Sequence, residues 1–87
     1  MRVRQVAAAV IRRLGGESAE LTLERRVSRL DTFALVGWAE TTVAGIGRAM
    51  DDWTRDGKPE SLDEARMGTA ALLMVLEELH VRTAGRV

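Results

Sequence analysis

From Thr32 to Gly47 the chain carries one charged side chain, Glu40, and the apolar residues of that stretch do not keep to one helical face. Leu35, Trp38, Thr42, Ile46 and Ala49 line one side of a helix drawn through it; Phe33, Val36, Glu40, Val43 and Gly47 line the other. A helix that is apolar all round has to be buried all round. The stretch is sixteen residues long, short of the roughly 20 that span a bilayer. The expectation is therefore a soluble, cytoplasmic chain with no membrane contact.

The means of covering such a helix are limited. The chain has 87 residues, and a domain of this size buries only about 60–65% of the surface its unfolded chain exposes. It has no cysteine, so no disulfide can reinforce the core. Arg12 and Arg13 close the apolar N-terminal stretch too early for a signal peptide. Oligomerisation is the support that remains.

Helical spacing places the elements. Val3, Val6, Ala7, Val10, Ile11 and Leu14 share a stripe that Gly15-Gly16 is expected to end, which predicts a first helix over about 3–14. Leu23, Val27, Leu30 and Ala34 keep a second stripe. From Val36 the phase shifts to an a/d heptad pattern, Val36, Ala39, Val43, Ile46, Met50 and Trp53. Asp31-Thr32, where the phase shifts, could cap a new helix, but one long helix over about 20–55, kinked near 31–37, is the preferred prediction. Asp56-Gly57 ends it. Ser61-Leu62-Asp63-Glu64 reads as a capping box opening a third helix over about 62–83. The expected fold is a single all-α domain over 1–87: a short N-terminal helix and a long antiparallel helical hairpin, completed as a bundle by dimerisation.

Gly37, Thr41, Gly45 and Ala49, four apart, form a ridge of small side chains suited to close helix approach. With Trp38 as aromatic anchor and Met67 and Met74 from the third helix, they are the expected interface.

Residues that could carry chemistry are few. There is no cysteine, and His80 is the only histidine. Gly45-Ile46-Gly47 lacks the strand, lysine and hydroxyl of a phosphate loop. No enzyme activity and no cofactor are expected. One constellation stands out: Glu77-x-x-His80 on one helix, with Glu40 expected opposite Glu77 on its neighbour. In these three residues the chain resembles half of a ferritin-like bundle, and the resemblance implies a carboxylate/histidine metal site shared across a dimer. The plainer expectation is no metal, with solvated carboxylates and His80 at the end of its helix.

Twelve of the 13 basic residues are arginine, and residues 1–30 hold seven of them against three glutamates. Arg2, Arg4, Arg12, Arg13, Arg25, Arg26 and Arg29 could bind nucleic acid if they formed one patch. No recognised DNA-binding motif and no tyrosine accompany them, so nucleic acid is not the favoured partner. The turn Trp53-Thr54-Arg55-Asp56-Gly57 lacks the Trp-x-Gly of the small secreted WXG-type hairpins, and no family follows from the sequence. The expected function is a small non-enzymatic protein–protein interaction module, an adaptor, regulator or assembly subunit. Its expected partner is a second copy, another protein, or both.

Overall fold

The computed structural model describes residues 3–85, which hold three helices and no strand. They are α1 (Val3–Arg29), α2 (Thr32–Asp56) and α3 (Pro59–Ala84). No helix among them is long and apolar enough to cross a membrane.

α1 is broken at Gly16, whose φ of 84° and ψ of 174° lie outside helical space. A straight helix rising 1.5 Å per residue would hold Arg4 about 35 Å from Val27. Instead both lie at one end of α3. Arg4 reaches Glu78 at 3.6 Å, and Arg82, which bonds the same carboxylate at 2.9 Å, also donates to the Val27 carbonyl at 3.2 Å. The chain therefore turns back at Gly16, dividing α1 into an N-terminal leg (3–15) and a C-terminal leg (17–29). The turn is tight: a Cβ on Gly15 would lie 2.7 Å from Met67 Cε and 2.9 Å from Ala19 Cβ.

Arg12 and Glu20, four residues either side of Gly16, close this turn with a two-pronged pair, Nε to Oε2 at 2.7 Å and Nη2 to Oε1 at 3.0 Å. The hydrogen bond from Arg12 holds the Glu20 carboxyl below its ordinary value of 4.5. A carboxyl depressed on folding stabilises the folded state above its unfolded pKa, and that contribution is lost as pH falls through its folded pKa. Stability is thus expected to fall on acidification below about pH 4.5 by a smaller amount in Arg12→Ala than in the wild type. Thermal denaturation at pH 7 and pH 3 measures the difference; parallel losses would show that the pair contributes nothing.

α1 and α2 both pack on α3. The core comprises Ala7, Ile11, Val27, Leu35, Ala70, Met74 and Val75, with Leu23, Leu30, Trp38 and Met67 packed around it. Five of its side chains, Ile11, Val27, Leu35, Met74 and Val75, are fully buried, each contributing about 1.5–3 kcal/mol by removal from water. The core lies where both legs of α1 pack on α3, and the C-terminal leg also meets the first half of α2, with Arg26 over the Trp38 ring. Towards the α2–α3 turn those two helices extend past it.

Two sequence expectations are corrected here. The single helix over 20–55 does not form. Leu30-Asp31 interrupts it, and Asp31 takes extended backbone while its Oδ1 accepts from the Ala34 N–H at 2.8 Å. A cap of this kind satisfies a free donor and so favours a new helix start over a bend. The capping box at Ser61 is likewise absent. Pro59, with its φ already helical and no N–H to satisfy, starts α3 two residues before Ser61. Lys58 is the N-cap, without a side-chain bond, and Ser61 is buried inside the first turn. The end of α2 follows from Gly57, whose left-handed φ of 65° lets its N–H return to the Trp53 carbonyl at 2.7 Å.

Candidate interaction surface

The heptad stripe of α2 is the starting point. Its residues alternate at intervals of three and four, yet Val36, Val43 and Met50, seven apart, are exposed at 42%, 54% and 41%. Their side of α2 faces no other part of the described chain closely enough to be covered. α3 presents a matching stripe, Leu62, Ala65, Thr69, Leu72, Leu76 and Leu79, with the same alternation of three and four. Between the two runs an open apolar groove.

Its first part, about 540 Å³, lies between Val36, Ala39, Glu40 and Val43 of α2 and Leu72, Leu76 and Leu79 of α3. The second, about 430 Å³, continues past Ile46 and Met50 along Leu62, Ala65, Thr69 and Leu73. There the N-terminal leg of α1 contributes Val6 and Val10. No residue of α1 lines the first part. Among the described residues Glu40 and Arg66 are the only charged side chains lining the groove.

The α3 stripe is the part of this surface that sequence reasoning missed. Met67 to Leu76 is apolar on every side, so a second stripe is hidden among core residues, and a threonine occupies one of its positions. Its spacing of three and four was the available signal.

The residues expected at the interface are dispersed. Gly37 and Thr41 are exposed, with the Thr41 hydroxyl donating to the Gly37 carbonyl at 3.0 Å. Gly45 is half-buried, near Arg48 of its own helix. Ala49 is buried, Met67 is half-buried against Gly15, and Met74 is fully buried in the core. The small-residue ridge thus does not form one surface. Residues four apart advance about 40° past a full turn, so over three steps the ridge winds from solvent to core. Trp38 is half-buried, and the Arg26 guanidinium lies 5.5 Å over its ring. It anchors the C-terminal leg of α1 within the chain.

Glu40, Glu77 and His80 are not brought together. Glu40 faces Leu72, Leu76 and Leu79 across the groove, Glu77 is half-buried and His80 is exposed. Among the described residues no three His, Asp or Glu side chains are grouped to hold a metal. The arginines are likewise divided. Arg4 is bound to Glu78, Arg12 to Glu20, and Arg26 to the Trp38 ring. Arg25, Arg26 and Arg29 share a shallow cleft of about 370 Å³ with Thr22 and Leu30. Arg2 lies outside the described residues.

No protein-family model, no curated protein and no solved structure matches this chain.

Proposed function

We propose that this protein is a non-enzymatic protein–protein interaction module, in which α2 and α3 act as a helical hairpin whose open side is closed by helices of a partner, through dimerisation in the simplest case. The observation that carries this reading is the pairing of two heptad stripes on one side of the hairpin, with Val43 54% and Leu76 48% exposed. Stripes of that period are what a helical partner recognises, by knobs entering holes.

A charge in the groove separates assembly from folding. Val43 and Leu76 are about half exposed, so Val43→Asp and Leu76→Asp are expected to cost the isolated fold only about 0.5 kcal/mol each. Both should retain full helix content by circular dichroism. Light scattering over a tenfold concentration range should show the wild type above 9.6 kDa and each variant at the monomer mass. Assembly unaffected by either substitution would place the contact elsewhere and refute the reading.

A further inference from the structure

The molecule exposes more surface than a compact monomer of its mass. A folded monomer of 9.6 kDa is expected to expose about 5,100 Å², whereas this chain exposes 6068 Å². Its radius of gyration, 13.5 Å, likewise exceeds the roughly 12 Å expected of 87 residues. The excess goes with an elongated shape, 47 × 24 × 22 Å, in which α2 and α3 leave one side open.

The two charges in the groove indicate which partner. Glu40 makes no ion pair among the described residues, and Arg66 has only an exposed one with Asp63, at 3.2 Å. They are opposite in sign and lie on opposite walls. A Cβ on Gly68 would meet Ile46 at 2.8 Å and Thr42 at 3.9 Å, which sets the level of Gly68 between those two residues. Arg66, two residues earlier on the returning helix, is then level with residue 46. Glu40 is six residues from that level, about 9 Å along the helix, so the two cannot readily pair within one chain. The midpoint between them is Val43, which is also the centre of the exposed series Val36, Val43, Met50.

An isologous interface exchanges such positions: residue i of one copy meets residue j of the other, and j meets i. Building on the interaction-module reading, we propose that a second copy of this chain closes the groove about a two-fold axis passing at Val43, perpendicular to the helices. α2 then lies antiparallel to its counterpart, α3 to its own, and Glu40 of each copy is level with the other copy's Arg66. The result is a four-helix seam with one oppositely charged pair on either side of the axis.

Because the chain contains no cysteine, one substitution tests the axis. Val43→Cys should form an intermolecular disulfide under mild oxidation, since only a residue on the axis meets its own copy. Gly37→Cys, exposed but away from the groove, should crosslink at least tenfold more slowly. Equal rates would overturn the axis. Glu40→Arg and Arg66→Glu should each weaken self-association at least tenfold at low salt, and the double variant should recover to within about threefold of wild type. A double variant weaker than both singles would overturn the pairing. If the wild type stays monomeric across the concentration range, the second copy is overturned. An apolar dye then separates the two failures: binding lost in Val43→Asp leaves the interaction reading intact, and binding unchanged refutes that as well.

Discussion

Replacing Arg82 by methionine is expected to lower the unfolding free energy by about 2–4 kcal/mol, although the side chain belongs to no sequence motif. The guanidinium sits where all three helices meet. Its Nη2 donates to the Leu30 carbonyl at 2.7 Å and to the Val27 carbonyl at 3.2 Å, Nη1 lies 3.4 Å from the Thr32 hydroxyl, and Nε bonds Glu78 at 2.9 Å. Val27 lies in the last turn of α1, where helix geometry provides no partner for the carbonyl, and Leu30 immediately follows the helix. The planar fork of arginine serves several acceptors at once, which a lysine ammonium on a flexible stem does not reproduce. Methionine keeps much of the apolar stem, so its effect reports the lost bonds and not the lost packing. Arg82→Lys should recover less than half of the loss. Urea denaturation of the three proteins decides it, and a methionine variant within about 0.5 kcal/mol of wild type would show that the joint holds without the clamp.

How far the sequence disclosed this arrangement depends on the range of the interaction that sets each feature. The all-helical class was legible because apolar spacing, Gly57 and Asp31 all act within a few residues. The choice between a kink and a cap at Asp31 was not, since both give the same change of phase. It is settled by the C-terminal leg of α1 turning towards α3, where Arg82 receives its last carbonyls from more than fifty residues away in sequence. The α2 half of the groove was visible as a heptad pattern, but which heptad positions stay exposed depends on where α1 lies. Met74 illustrates the same dependence: in the sequence it is one apolar residue among many on α3, and in the fold it is core, in one cluster with Ala7, Ile11 and Val27 of α1 and Leu35 of α2. Glu40 and His80 suggested a site through their spacing to Glu77, but placement around each helix, set by packing, keeps the three apart.

The reversal of α1 makes the strongest conformational demand on a single residue, and Gly16→Val is expected to be as damaging as loss of the Arg82 clamp. A φ of 84° with ψ of 174° falls in a region essentially reserved for glycine, and holding another residue there costs about 1–3 kcal/mol, with a β-branched side chain at the upper end or beyond. There is no compensating contact, because a Cβ at this position would meet nothing within 4 Å. The strain can be relieved only by releasing the N-terminal leg, which gives up the burial of Ala7 and Ile11 and the Arg4–Glu78 and Arg12–Glu20 pairs. Both flanking segments are already helical, so the accessible alternative is one straight helix through residues 3–29 that leaves Met67 and Met74 uncovered. The expected result is a loss of about 3 kcal/mol in urea denaturation, with helix content unchanged or raised and rapid amide exchange confined to 3–15. Gly57→Ala, which meets the milder left-handed region at the α2–α3 turn, should cost about 1 kcal/mol. A Gly16→Val protein as stable as the wild type would mean that the turn back at Gly16 is not what closes the core.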